Sequence, residues 1–160
     1  VNKKKLVSLV VFVLLCGCAG KTIKQVYDYQ GWEWQKDCQK NLRSLHSGLL
    51  IYSTDYDDKF PTADWDTTIF PYVKAQQSYT CPALYEPGTT ASGYSMNPAL
   101  YGKTQNELGD IDKFVVFFES TSAVKGDEAD PSTHLTTSRH AGSIYQVYLS
   151  GYVEDLETLP

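Results

Sequence analysis

The stretch 34–56 constrains the fold more than any other part of the chain. Apolar or aromatic residues fall at Trp34, Cys38, Leu42, Leu45, Leu49, Tyr52 and Tyr56, in steps of three and four. That is one face of an α-helix and not the alternation of a strand. Lys36, Gln39, Lys40, Arg43 and Ser47 fill the other side. A helix with a single apolar stripe must lie on something. The C-terminal third supplies it. Residues 114–118, Phe-Val-Val-Phe-Phe between Lys113 and Glu119, read as a central buried strand. Residues 144–149 read as a second strand, with Tyr145, Val147 and Leu149 on one face, and 152–156 as a third. Ser150-Gly151 fits a two-residue hairpin turn between them. The sum is an α+β domain, a long helix laid across one face of a small antiparallel sheet.

The intervening chain is less regular. Asp55, Asp57 and Asp58 crowd the end of the helix, where acids oppose the helix dipole and help stop it. Carboxylates at such positions suit calcium, but no Gly and no distal Glu complete an EF-hand loop, and a solvated turn is the simpler reading. Phe60-Pro61 forces an extended exit. Residues 64–73 read as a short helix capped by Asp64 or Asp66 and ended or kinked by Pro71. Residues 78–82 read as an extended segment. Residues 86–109 form a long irregular insertion pinned by Tyr94, Met96 and Leu100, and 126–131 an acidic loop with Asp127, Glu128 and Asp130.

The N-terminus is of another kind. Lys3, Lys4 and Lys5 precede a ten-residue apolar run, 6–15, broken by Ser8. A bilayer span needs about 20 such residues. Leu15-Cys16-Gly17-Cys18 then resembles the bacterial lipobox. The resemblance implies cleavage after Gly17 and lipidation of Cys18. The alternative is an ordinary secretory signal with two incidental cysteines. The organisation expected is a lipoprotein signal peptide at 1–17, a lipidated tether at 18–31 and a globular domain at 32–160. Tyr27, Tyr29 and Trp32 in the tether either sit at lipid headgroups or pack on the domain.

Charge and cysteines bound the function. Removing 1–17 takes three Lys from 14 Lys and Arg and none of the 19 acids, leaving 11 against 19, a net −8. That sign opposes nucleic acid as a partner and electrostatic attachment to anionic lipid. The membrane partner is reached through acyl chains. Of four cysteines, Cys16 leaves with the signal and Cys18 is lipidated. Cys38 and Cys81 remain, and in an oxidising compartment a disulfide is the simplest reading, contributing on the order of 4 kcal/mol. Two lone cysteines do not supply a zinc site, so no metal or cofactor is expected.

Several pieces together resemble bacterial type IV pilin-like proteins and type II secretion pseudopilins, the prepilin-type family whose C-terminal signature is His, nine residues, Asp-Gly. Cys38-Gln-Lys-Asn-Leu-Arg43 is similar to their Cys-x-x-Asn-Leu segment ending in Lys or Arg. Tyr56-Asp-Asp-Lys-Phe-Pro61 is similar to their exit from the helix. Pro71-Tyr-Val-Lys74, Cys81-Pro82 and Gly93-Tyr-Ser-Met-Asn97 match recurrent pieces. Arg139-His140-x-Gly142 then lies nine residues before Ser150-Gly151. The resemblance implies a pilin-like fold and protein partners of the secretion or pilus type. It departs in two places. The apolar prepilin helix is replaced by the lipoprotein signal, and the Asp-Gly-His of the hairpin is Ser150-Gly151-Tyr152.

Catalytic motifs are missing. Ser150, His140 and Glu119 could be drawn as a triad, but no Gly-x-Ser-x-Gly elbow supports it. No glycine-rich phosphate loop occurs. His46, one residue after Leu45 at the edge of the stripe, reads as a packed or solvent-facing histidine. The expectation is a non-enzymatic, lipid-anchored module of the cell envelope, facing the periplasm or exterior. The alternative is an envelope ligand- or glycan-binding lipoprotein that stacks sugars on Trp32, Trp34, Trp65 and exposed Tyr.

Overall fold

A computed structural model describes residues 19–73, 75–84, 91–122, 124–134, 139–140 and 143–157, with backbone alone over 19–28 and at 134 and 157. Cys18 and Gly142 lie outside the described residues. One long helix, α1 (Ala19–Asp55), packs on a four-stranded antiparallel sheet of order β1-β2-β3-β4. The strands are β1 (Tyr94–Met96), β2 (Val115–Glu119), β3 (Ser143–Tyr148) and β4 (Val153–Glu157). The α+β layout and the internal position of the 114–118 run are as the sequence predicts. The insertion adds a fourth strand, β1, through Tyr94 and Met96, and both are fully buried together with Leu100.

The middle of the helical stripe behaves as its spacing demands. Cys38, Leu42, Leu45 and Leu49 are all fully buried. The ends differ. Trp34 is half-buried and Tyr56 is exposed. The chain is also helical from Ala19 through residue 31, where the sequence predicts a tether with no sustained period. No proline occurs before Pro61, and helix propagation through Lys, Gln and Glu is favourable once a nucleus exists. The 37 residues of α1 span about 55 Å. No helix among the described residues is long and apolar enough to cross a membrane.

The 64–73 segment forms two short helices, α2 (Trp65–Thr68) and α3 (Phe70–Val73). Asp64 takes a left-handed conformation (φ 44°), and its side chain makes no capping bond. Pro71 falls inside the first turn of α3, where its missing N–H costs nothing. Trp65 is buried, its ring 5.0 Å from Phe117 and 5.8 Å from Tyr79. α3 lies against α1 so closely that a Cβ on Gly48 would meet Val73 Cγ2 at 2.4 Å.

A bulge sets the face of β2. Val115 pairs with Tyr148 and Phe117 with Val147, so the bulged strand has an extra residue at this step. Val116 and Phe117 therefore both enter the core, although neighbours on a regular strand point oppositely. From Phe117 alternation resumes, and Glu119 shares the face of Phe117, toward α1.

The β3–β4 hairpin is closed by three residues, not two. Gly151 N–H donates to Tyr148 O at 2.9 Å, and Tyr148 N–H donates to Tyr152 O at 2.9 Å. Leu149 is buried and anchored to Phe114 O, which draws it out of the strand and into the turn. Gly151 supplies the left-handed residue (φ 87°) that such a three-residue loop requires. His46 on α1 meets this turn: its Nε2–H donates to Leu149 O at 2.9 Å. The imidazole is buried, with Cε1 3.2 Å from where a Cβ on Gly151 would sit. Burial holds the His46 pKa below its usual 6.5, partly offset by the bond to Leu149.

Two outcomes are expected. Gly48→Ala, which in an open helix would stabilise by up to about 1 kcal/mol, destabilises here by about 1–3 kcal/mol through overpacking on Val73, read from urea unfolding. Below about pH 6.5 the unfolded chain protonates His46 while the folded chain resists. Stability therefore falls as pH drops from there toward the folded pKa, and less so in His46→Gln, as paired denaturation curves across this range will record.

Candidate functional site

Four chemically reactive side chains from four parts of the chain meet beneath α1. Cys38, Cys81, Glu119 and His140 are each fully buried. One ligand atom from each lies within 4.8 Å of all the others, and no other such group of three or more occurs among the described residues. Cys38 Sγ lies 3.4 Å from Cys81 Sγ, and both are free thiols. Cys81 Sγ is 3.5 Å from His140 Nε2, and the same Nε2 is 2.6 Å from Glu119 Oε1.

One face of α1 carries Cys38 and holds the Cys81 segment in place, with a further bond to the His140 backbone. Gln35, Cys38 and Asn41 are spaced at three residues, so they stack along the helix. Gln35 Nε2 donates to His140 O at 2.8 Å. Asn41 Nδ2 donates to Thr80 O at 3.2 Å, fixing the residue before Cys81, and to the Tyr94 hydroxyl at 3.3 Å. The Tyr94 hydroxyl in turn bonds the Cys38 sulfur. Cys81 N–H donates to Ser92 O at 2.7 Å.

The sheet positions the other two. Glu119 arrives at the helix-facing side through the β2 bulge, and its Oε2 accepts the Tyr145 backbone N–H at 3.0 Å. His140 sits in the turn that enters β3, with Ser143 N–H donating to His140 O. Its neighbour Arg139 ties the ends of two strands together, donating from Nη1 to Gly93 O at 2.9 Å and from Nη2 to Ser120 O. Gly93 must be glycine there. Its φ is 83°, and a Cβ would lie 2.3 Å from Arg139 Nη1.

The electrostatics follow from burial and contact. Burial pushes the Cys38 thiol far up, and its hydrogen bond to Cys81 adds to this. Burial also works to raise Cys81, but hydrogen bonds from Cys38 and His140 and the imidazolium charge outweigh it and hold that thiol at about 5. Burial disfavours the charged form of His140, yet its bonds to Cys81 and Glu119 push it up to about 9. The cluster thus holds a Cys81 thiolate against an imidazolium, and Glu119 is the second partner of that imidazolium. His140 Nδ1 has no partner among the described residues.

The remaining sequence-predicted positions lie elsewhere. Asp57 and Asp58 are exposed turn residues with φ of 55° and 59°, and the exposed Asp55 engages the Tyr72 hydroxyl. They do not converge. Ser150 is exposed at the hairpin, its N–H bonded to Ile111 O, and cannot complete a triad with His140 and Glu119. The argument that two cysteines cannot supply a metal site undercounted the donors, since the fold adds His140 and Glu119 to them. Glu119, which the sequence offers beside His140 only as part of an unsupported triad, is not read there as a neighbour of the cysteines, because it stands as the polar end of a strand. A carboxylate at the end of an apolar run, two residues beyond a core Phe, was the available signal. No family model, curated protein or solved structure matches the chain.

Removing Glu119 takes from the buried His140 imidazolium its second partner and from Tyr145 N–H its acceptor. Glu119→Ala is expected to lose about 3–5 kcal/mol in denaturant unfolding, with a smaller loss for Glu119→Gln, which keeps the acceptor for Tyr145 N–H.

Proposed function

We propose that this chain is a lipid-anchored, non-catalytic, pseudopilin-like structural or interaction module of the bacterial cell envelope, working with a secretion- or pilus-type assembly. The observation that carries this reading is the division of α1. Its Cys38–Leu49 face is buried on the sheet, while toward the N-terminus Tyr29 and Trp32 stand 61% and 52% exposed on a helix already formed at Ala19. A long helix with one stretch embedded in its own domain and exposed aromatic residues nearer its N-terminus suits the layout that the pilin-like resemblance implies. Exposed aromatic residues near an acylated terminus suit the membrane–water interface.

Burial of the cluster supports the absence of catalysis. A thiolate, an imidazolium and a carboxylate in contact have the composition of a hydrolytic centre, but all three are closed to solvent and therefore to substrate. The glycan-binding alternative loses its main platform, since Trp65 is buried and its Nε1–H is spent on Asp127 O. Trp32 is exposed, but the Lys36 ammonium sits 3.3 Å over its ring.

The expected result is an acylated N-terminal peptide starting at Cys18 in the membrane fraction, and release of Cys18→Ser to the soluble fraction. An unmodified Cys18 or Ala19 terminus in the membrane-derived protein sinks the anchoring. Cross-linking in intact envelopes should recover proteins with prepilin-type N-termini; recovery indistinguishable from an unrelated lipoprotein sinks the partnership.

A further inference from the structure

We propose that Cys38, Cys81, Glu119 and His140 form a closed structural site for a single zinc ion. The inference rests on the cluster alone, with both thiols reduced. Zinc bonds of about 2.3 Å to sulfur and about 2.0 Å to nitrogen or oxygen give tetrahedral edges of about 3.8 Å between sulfurs and about 3.5 Å between sulfur and nitrogen. The observed separations are 3.4 Å between the sulfurs and 3.5 Å from Cys81 Sγ to His140 Nε2. Ion binding must then draw the set together from its outer limit of 4.8 Å and open one edge: His140 Nε2 and Glu119 Oε1, in hydrogen-bond contact at 2.6 Å, move apart by under about 1 Å to reach the edge set by two nitrogen or oxygen ligands. The set of two thiolates, an imidazole and a carboxylate favours zinc over calcium or magnesium, which take oxygen ligands.

The surroundings are those of a metal centre rather than of a disulfide. A disulfide between Cys38 and Cys81 would need neither a histidine nor a carboxylate beside it. Here both are buried at the sulfurs, at the desolvation cost of two ionisable groups. An outer shell is already in place. Tyr145 N–H holds the far oxygen of Glu119, the Tyr94 hydroxyl holds Cys38 Sγ, and Gln35 holds the His140 backbone. All four ligands come from the protein, and none is exposed, so no position is open to water. Such a site staples the helix, the Cys81 loop, β2 and the entry to β3.

The test uses the full chain, purified anaerobically with reduced thiols, stripped of metal and titrated with Co²⁺ and then Zn²⁺. The expected result is one ion per chain, thiolate-to-cobalt charge-transfer absorption with tetrahedral ligand-field bands, and displacement of cobalt by zinc. The charge-transfer absorption disappears in the Cys38→Ser/Cys81→Ser double variant, which separates this pair from Cys16 and Cys18. Because that variant can fail to fold, Tyr94→Phe provides a second arm. It retains the ring in the core and loses the hydroxyl's bonds to Cys38 Sγ and Asn41 Nδ2, the latter still held by Thr80 O, and zinc affinity should fall by about 10–100-fold. The proposal is overturned by absent charge-transfer absorption in the reduced wild type, by its persistence in the double variant, or by unchanged affinity in Tyr94→Phe. Peptide mapping that finds Cys38 disulfide-bonded to Cys81 in protein isolated from cells overturns it equally.

Discussion

The contact on which the structure depends is the grip of α1 on its surroundings through Gln35, Cys38 and Asn41. Each reaches a different part of the chain: Gln35 the His140 carbonyl, Cys38 the Cys81 sulfur, Asn41 the Thr80 carbonyl and the Tyr94 hydroxyl. The leucines that follow, Leu42, Leu45 and Leu49, provide the burial that holds the helix down. The polar trio provides the register. Hydrophobic stripes alone allow a helix to slide on a sheet, whereas directional bonds to fixed carbonyls do not.

Four segments singled out in the sequence converge on this place, while the exposed Asp57–Asp58 turn and Ser150 do not. Cys38 to Asn41, Cys81, Gly93 and Tyr94, and Arg139 with His140 are far apart in sequence and adjacent in space. Arg139 joins Gly93 to Ser120, and Ser120 follows Glu119 directly. What reads along the chain as scattered short matches is one three-dimensional neighbourhood. Its residues are required together because a buried polar cluster is costly unless every member is satisfied.

Much of the fold was legible because burial leaves a period. The 38–49 stripe, the 114–118 run and the Tyr145, Val147, Leu149 face were all readable, and all joined one core. The misreadings have physical causes. The start of the helix lacks a stripe, since residues outside the domain core have no reason to alternate. The hairpin took a third residue because Leu149 found a better site bonded to Phe114 than in the strand. Strand β1 is only three residues long and sits in a stretch whose turn-forming residues dominate its composition. The site itself was half legible. Two cysteines drew attention as a pair, but proximity of Glu119 and His140 is a property of the sheet's register, which no local pattern encodes.

The bulge between Val115 and Phe117 has an evolutionary corollary. The apolar side chains of β2 are individually replaceable by others of similar size, but Glu119 and the length of the strand beyond Phe117 are not free to vary. Loss of the extra residue at the bulge would leave Val115 opposite Tyr148 and Phe117 opposite Val147 in regular pairing and take one side chain from the core, whereas a residue lost or gained between Phe117 and Glu119 would shift the register and turn the Glu119 carboxylate away from His140. Insertions and deletions here are therefore of a different severity from those in the loops on either side. The spacing from Phe117 to Glu119 is, in effect, part of the site's specification.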